Sequence, residues 1–430
     1  MRTKYIFLLL MLCSTVQAQN VLTLEKAINI TLKNNFDILI ARNDADIAKM
    51  NNTAGNAGML PTVNVNGSGS YSNDNVYQKL SSGTVNKYSS LSNTLVGANA
   101  ELSWTLFDGG KMFVTKNKLN EIQSLGELQF QSKVLETMYN VIAAYYDIVR
   151  QKQQLSSINE AISYNKERVT IAQTGFNAGS LVKTDLLQAK IDLNVAMENS
   201  INQQYTINEA QKALNRMLGQ DPTVIFEVSD SISLLYIPNK DELLQKLNSS
   251  NSSILSFQKQ IDIARLTLKE NQKAYLPTFS FKGGYYLSQS VNSEGTTLKN
   301  RSSGPQVGGT ISIPLFNGGE TKRKISVAKK ELQSAEYDLE NVKLQMNTEL
   351  QNALTDFENQ QQVLQIEKDN NQLAKENIEI SLQRLRLGQT TSLEVHQAQE
   401  SYMQSSTRLI NFKYNLKIAE TKLKQLVSSL

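Results

Sequence analysis

Two long segments of the chain carry apolar residues at the three- and four-residue spacing of an α-helix. The first, residues 111–174, has no proline, and its stripe contains Val134, Met138, Val141, Ile142, Tyr145, Ile148 and Val149. The second, residues 320–387, repeats an apolar residue every seventh position at Ile325, Leu332, Leu339 and Met346. Such helices would reach roughly 96 and 102 Å, so we predict that they lie side by side in a rod or tube. The many Asn and Gln residues outside the stripes form either a solvated face or the lining of a hydrated lumen.

Ahead of each long helix, the apolar period changes to two. We predict strands at about residues 62–71 and 95–107, and again at about 278–287 and 306–316. Each run has roughly the 9–11 residues with which a tilted strand crosses a bilayer, and its apolar and polar faces fit lipid outside and water inside. A soluble antiparallel sheet with one buried face alternates in the same way. Pro314 falls inside the predicted fourth strand, where we expect a bulge or bend because proline lacks a donor.

The chain is a duplicated unit. Leu106-Phe107-Asp108-Gly109-Gly110 returns 209 residues later as Leu315-Phe316-Asn317-Gly318-Gly319, and Gly179 returns as Gly388. Pro61 and Pro277 mark the points where helix gives way to strand, since the residue before proline avoids helical angles. We therefore predict repeat 1 at 19–218 with a helical hairpin at 111–218, a linker at 219–240, and repeat 2 at 241–430 with a hairpin at 320–427.

The first residues have the pattern of a secretory signal peptide, residues 1–18, with a basic start, an apolar core and small residues before the cleavage point. Cys13 is the only cysteine and offers the alternative of lipidation, but Leu12 before it is bulky for such a site. Without Arg2 and Lys4, the 44 basic residues fall to 42 against 40 acidic ones. This balance argues against a nucleic-acid-binding protein. No later apolar run approaches the roughly 18 residues of a spanning helix.

Four strands per chain cannot close a transmembrane barrel, whose smallest known form has eight. An open sheet in lipid would leave unpaired backbone groups that cost several kcal/mol each. Membrane insertion therefore requires several copies of the chain to share one barrel.

The sequence resembles the TolC family of outer-membrane efflux and secretion channels over nearly the whole length after the signal. The resemblance rests on the order of several short motifs: Leu22-Thr23-Leu24-Glu25-Lys26-Ala27-Ile28, Leu60-Pro61-Thr62, Leu276-Pro277-Thr278, the two Gly-Gly strand ends and Arg384-Leu385-Arg386-Leu387-Gly388. It implies mainly helical chains with membrane strands, a homotrimer with a twelve-stranded outer-membrane barrel, and a periplasmic helical tunnel. Residues 219–240 resemble the equatorial segment of such channels.

The resemblance also implies functional hairpin tips, which meet a periplasmic adaptor linked to an inner-membrane transporter of the RND or ABC type. The tip residues that match are Phe176, Gly179, Ser180, Leu181, Arg384, Leu387 and Gly388. Glu394 matches the first of two acidic gate positions at the pore entrance, but Gln397 replaces the second and Leu385 replaces a tyrosine. Glu394 is therefore either one gating ring or an ordinary helix-start carboxylate. Arg384 and Arg386 are adaptor contacts or surface charges.

Candidate chemistry is sparse. His396 is the only histidine, and a lone imidazole makes neither a metal site nor a catalytic triad. We predict no enzyme activity, no cofactor and no metal. The leading hypothesis is a passive conduit of a tripartite efflux system in the Gram-negative outer membrane. The alternatives are an exit channel for type I protein secretion and, in a different class, an exported coiled-coil chaperone or scaffold.

Overall fold

The computed structural model describes residues 21–229 and 231–430, so the predicted signal peptide and Cys13 lie outside the described residues. The described chain forms two compact units. The helical unit contains residues 21–43, 128–255 and 341–430, and the sheet unit contains Asp44–Glu127 and Ser256–Glu340. Both sequence repeats contribute to both units. The repeats are therefore units of the sequence, and neither of them packs as a separate body.

The described chain contains eight helices and six strands. In order, they are β1 (Val21–Leu22), α1 (Leu24–Asn34), α2 (Phe36–Asn51), β2 (Thr62–Lys79), β3 (Val85–Asp108), α3 (Lys111–Asn177), α4 (Lys183–Met217), β4 (Glu227–Val228), α5 (Lys240–Ser250), α6 (Ser252–Lys273), β5 (Thr278–Asn292), β6 (Lys299–Ser312), α7 (Glu320–Arg386) and α8 (Ser392–Leu426). The duplication is visible in the lengths, because α3 and α7 each have 67 residues and α4 and α8 each have 35. The predicted fold class, long helical hairpins combined with four main strands, is confirmed.

The sheet unit contains an antiparallel sheet in the order β2-β3-β5-β6. β2 and β3 pair as far as Lys79 and Val85, well beyond the predicted ends, whereas β3 and β5 pair only between Asn93 and Asp108 of β3. The predicted position of Pro314 inside the fourth strand is wrong. β6 ends at Ser312, so this proline follows the strand, and the register shifts lie at Asp74/Val76 and Thr105/Phe107 instead.

Proline and glycine occupy the helix–strand junctions of the sheet unit. Pro61 and Pro277 each directly precede the first residue of a strand. Gly109, Gly110, Gly318 and Gly319 all have positive φ, between 65° and 79°. At Gly109 a Cβ atom would lie 2.5 Å from the Cβ of Leu276, so only glycine fits this turn.

The helical unit has a core between its helices and the short parallel pair β1–β4. Thr23 caps α1 by accepting a hydrogen bond from the Lys26 backbone N–H. Two buried asparagines repeat one contact in both halves. The Asn35 amide donates to the Met217 carbonyl at 2.7 Å, and the Asn251 amide donates to the Leu426 carbonyl at 2.8 Å. Each thereby satisfies a carbonyl at the end of a long hairpin.

Over residues 21–229 and 231–430, none of the helices combines the length and the apolar composition that a membrane span requires.

Candidate functional site: the hairpin tips

The two hairpin tips of the helical unit share one backbone conformation. Gly179 and Gly388 have φ values of 75° and 67°, the left-handed conformation that ends many helices. The Ser180 N–H donates to the Gly175 carbonyl at 2.9 Å, and the Gln389 N–H donates to the Arg384 carbonyl at 2.8 Å. Both tips therefore reverse the chain by the same glycine-dependent turn.

The first tip is closed by apolar packing. Leu181 lies against Gly175, where an added Cβ would come within 2.7 Å of the Leu181 side chain. Leu181 also packs on a small cluster formed by Ala172, Leu186 and Ala189. Phe176 is 39% exposed beside this turn. Val182 precedes α4 and provides no side-chain cap.

The second tip is closed by polar contacts. The Arg384 guanidinium donates to the Gln389 carbonyl at 3.1 Å and so ties the last turn of α7 to the chain reversal that follows it. Thr391 caps α8 by accepting from the Glu394 N–H at 3.3 Å, and the Thr390 hydroxyl donates to the Glu394 carboxylate. Glu394 and Gln397 are exposed, so their side chains are available to ions or partners.

Leu385 does not lie at the surface with Glu394. It is only 7% exposed and belongs to an apolar cluster with Ile378, Leu382, Val395, Ala398 and Tyr402. Leu385 therefore packs between α7 and α8, and its place at the pore entrance stays a prediction. Leu387, two residues further on, is 71% exposed.

The structure brings the two tips together around a groove of about 670 Å³. Its lining includes Gly175, Ser180 and Leu181 of the first tip and Leu385, Leu387 and Gly388 of the second. Arg386 forms an ion pair with Glu167 of α3 between the two hairpins. Predicted residues from distant parts of the sequence therefore share one surface, although Phe176, Gly179 and Arg384 lie outside the groove lining.

A buried polar cluster behind the tips was missed by sequence reasoning. Arg168 of α3 is 1% exposed, and its guanidinium donates to Asp192 of α4 at 3.0 Å and to Gln399 of α8 at 3.3 Å. His396 lies 3.3 Å from the same Asp192 carboxylate and lines a cavity of about 410 Å³. The lone histidine and a buried ion pair thus connect three helices of both hairpins.

A second polar link joins the hairpins at Glu160 of α3. Its carboxylate accepts hydrogen bonds from the Tyr402 hydroxyl at 2.7 Å and from Lys375 at 3.1 Å. Burial raises the pKa of Glu160, but these hydrogen bonds outweigh it and hold the pKa below its usual value. Burial and the neighbouring Glu160 raise the pKa values of Tyr164 and Tyr402 to about 12. The link therefore consists of a charged carboxylate and protonated donors at neutral pH.

Among the described residues there is no group of three or more His, Cys, Asp or Glu side chains arranged to hold a metal ion.

The family model described as outer membrane efflux protein matches residues 27–220 and 243–429. The chain belongs to this family. Two curated relatives are the alkaline protease secretion protein AprF of Pseudomonas aeruginosa and the outer membrane efflux protein BepC of Brucella suis. The AprF match is 24% identical and spans 50% of this chain but only 46% of that protein. The BepC match is 21% identical and spans 74% of this chain and 69% of that protein.

The solved structure of the outer membrane protein VceC from Vibrio cholerae has the same fold. It superposes with a TM-score of 0.73 at 17% identity and covers 94% of this chain and 95% of that one. The predictions of a TolC-like channel and of an outer-membrane location are confirmed for this outer membrane efflux protein. Its family consists of channel proteins, not enzymes.

Proposed function

We propose that three copies of the chain share one twelve-stranded barrel and form the outer-membrane conduit of a tripartite efflux system. The observation that carries this proposal is the four-stranded sheet, whose outer strands β2 and β6 each lack a second partner among the described residues of the chain. Unpaired backbone groups are costly in lipid, and closed barrels begin at eight strands. Three chains supply twelve strands and leave no edge.

The groove between the hairpin tips is the proposed docking surface for a periplasmic adaptor, which connects the conduit to an inner-membrane transporter of the RND or ABC type. Exposed Phe176 beside the groove and exposed Leu387 in its lining supply apolar contacts, and Arg384 and Arg386 supply charge. Apolar anchors with arginine are typical of protein interfaces. The conduit itself has no energy source in this scheme and remains passive.

The proposed gate is one ring of three Glu394 carboxylates at the entrance, with Gln397 one helical turn away. The Thr390 hydroxyl and the capped α8 backbone fix the position of each carboxylate. Rings of acidic side chains select cations. We expect Glu394→Ala to weaken the block of single-channel current by divalent cations, whereas Gln397→Ala leaves it largely unchanged. Equal block in wild type and Glu394→Ala would remove the gate assignment.

Disulfide scanning tests the trimer. Cys13 is the only native cysteine, so Asn66→Cys on β2 is combined with cysteine at successive positions of β6, namely Ser302, Gln306 and Thr310. Within one chain these strands are three spacings apart, about 14 Å, which exceeds the roughly 4 Å Cβ separation of a disulfide. Any cross-link therefore joins two chains.

We expect oxidised outer membranes to yield cross-linked dimers and trimers for at least one of these pairs. The matched control combines Asn66→Cys with Ser288→Cys on the interior strand β5, which should not cross-link. Monomers alone in every pair would contradict the shared barrel.

Adaptor docking is tested separately with Arg384→Glu, which should lower adaptor pull-down without altering trimer yield. Normal pull-down would leave Arg384 as a surface charge.

Protein secretion is a second candidate function, favoured by the similarity to AprF, a protein named for alkaline protease secretion. A deletion strain separates the two. Increased sensitivity to small toxic compounds with an unchanged set of secreted proteins supports efflux. Loss of a secreted protein with unchanged sensitivity supports secretion.

A further inference from the structure

We propose that Lys299 and Arg301 bind the phosphate groups of the phosphorylated glycolipid, lipopolysaccharide, in the outer leaflet of the outer membrane. The inference goes beyond the transport function, but it rests on the proposed barrel because it requires the sheet to face lipid. Its basis is the distribution of charge over the two faces of the sheet.

The strand register defines the two faces. One row of paired residues contains Val63, Leu102, Gly283 and Val307, and a second row contains Val65, Ala100, Tyr285 and Pro305. Because directly paired residues point to the same side, these rows belong to one apolar face. An apolar face of a membrane barrel contacts lipid.

Two further rows of this face contain the basic residues. Lys299 continues the row Tyr71, Thr94, Val291, and Arg301 continues the row Gly69, Val96, Gln289. Within the paired residues 62–73, 92–107, 279–291 and 299–311, Lys299 and Arg301 are the only charged side chains on the apolar face. Both are cationic, and both lie near one end of β6.

Neither cation is neutralised by the chain. Lys299 and Arg301 are exposed, and across the described part of the protein neither forms an ion pair. Lys282 provides the contrast, because it lies on the opposite face of the sheet and is paired with Glu101 at 3.7 Å. The two cations of the apolar face are therefore available to anions from outside the chain.

The position along the strand matches the lipid headgroups. Lys299 lies twelve residues before Ile311, which is about 40 Å along the strand and about 30 Å along the membrane normal at usual barrel tilts. This places Lys299 just beyond an apolar band of about 25 Å. Tyr71, in the same row, is 68% exposed, and tyrosine marks the interface between lipid and water.

The end of the sheet identifies the leaflet. Lys299 and Arg301 lie next to the β5–β6 connection, whereas the helix junctions at Pro61, Gly109 and Pro277 lie at the opposite strand ends. Since the helices extend into the periplasm, the connection faces outward. Arginine and lysine bind phosphate by charge-assisted hydrogen bonds, and the outer leaflet of a Gram-negative outer membrane presents phosphorylated glycolipid.

The test measures glycolipid retained by the trimer. Wild type, the double variant Lys299→Gln/Arg301→Gln and the control Lys282→Gln are extracted from outer membranes in mild detergent, and bound lipopolysaccharide per trimer is counted by native mass spectrometry. We expect the double variant to retain at most a third of the wild-type amount and the control to match wild type. Added lipid A should rebind to delipidated wild type more strongly than lipid A freed of phosphate.

Equal retention by wild type and the double variant, or equal rebinding of both forms of lipid A, would overturn the inference. Trimer yield is measured on the same samples by the β2–β6 cross-link. Absence of wild-type trimers would refute the barrel, whereas intact trimers with unchanged glycolipid refute only the phosphate site. If the double variant fails to assemble, the single variants Lys299→Gln and Arg301→Gln answer the same question, each with partial loss expected.

Discussion

The two hairpin tips have nearly the same backbone but are held by different interactions. At the first tip, Leu181 packs against Gly175, and α4 begins without a side-chain cap. At the second, Arg384 occupies the position equivalent to Gly175, and Thr391 caps α8. The turn glycines Gly179 and Gly388 are the shared feature. Duplication has therefore preserved the conformation of the chain reversal, while the side chains around it have diverged.

Because of this divergence, the side chains of the first tip serve mainly packing, whereas those of the second tip can also serve recognition. The first tip holds its shape by packing Leu181 against Gly175 and the Ala172, Leu186 and Ala189 cluster. The second holds its shape by hydrogen bonds that also position an exposed carboxylate, Glu394. A gate or selectivity ring needs such a fixed charge. We therefore look for ion selection at the second tip and expect the first to contribute mainly shape to the docking groove.

The difference between the hairpins is largest below the tips. Buried Arg168 of the first hairpin corresponds to Asn377 of the second, which is exposed, and Asp192 corresponds to exposed Ser401. Asp192→Asn would leave the Arg168 guanidinium buried without its carboxylate. We expect the free energy of unfolding to fall by about 3–5 kcal/mol. Denaturant unfolding of the detergent-solubilised protein, followed by helical circular dichroism, measures this change.

The control for this prediction is Lys375→Gln, which breaks the more exposed pair with Glu160. Surface pairs contribute about 0–1 kcal/mol, so this variant should change little. Equal losses in the two variants would show that burial does not distinguish the two links between the hairpins.

Sequence reasoning succeeded where a local pattern is sufficient. The long helices follow from apolar periodicity, and the turns follow from glycine, since both depend on neighbours in the chain. The burial of Arg168 depends on how α3 packs against α4 of its own hairpin and α8 of the other, and no local pattern carries that information. Arg168 follows Lys166 and Glu167, and a charged run is usually a solvated face. Pro314 was misplaced because alternation continued past the true end of β6.

The packing at the first tip predicts that replacing Gly175 by a residue with a side chain lowers the stability of this tip. Gly175→Ala would place a Cβ atom 2.7 Å from Leu181. We expect a net loss of about 1–2 kcal/mol, since overpacking costs more than alanine's helix propensity returns. Faster amide exchange in the first tip, and not in the second, would report this loss. The double variant Gly175→Ala/Leu181→Ala should recover slow exchange relative to the single variant, and no recovery would argue against the contact as the cause.

Changes to the helix caps should have smaller effects on stability, with a loss at the second tip and a gain at the first. Thr391→Ala removes the acceptor for the Glu394 N–H and should cost about 1 kcal/mol. Val182→Thr supplies a cap that α4 lacks and should stabilise the first tip by up to about 1 kcal/mol. Hydrogen exchange at the first turns of α8 and α4 measures the two changes. A gain at both tips, or at neither, would show that capping does not distinguish them.

The smallest effect concerns the pH dependence of the Glu160 link. Hydrogen bonds from Tyr402 and Lys375 hold the pKa of Glu160 below its usual value of 4.5. Because the folded pKa is the lower one, the link stabilises the protein fully above pH 4.5 and loses this contribution as the pH falls through the folded pKa. The Tyr402 pKa of about 12 keeps its donor protonated well above the neutral range. Melting temperatures of wild type and Glu160→Gln should therefore differ at pH 7 and converge as the pH falls through the folded pKa of Glu160. A melting-temperature difference that stays constant across this change of pH would mean that the charge of the Glu160 carboxylate does not hold the hairpins together.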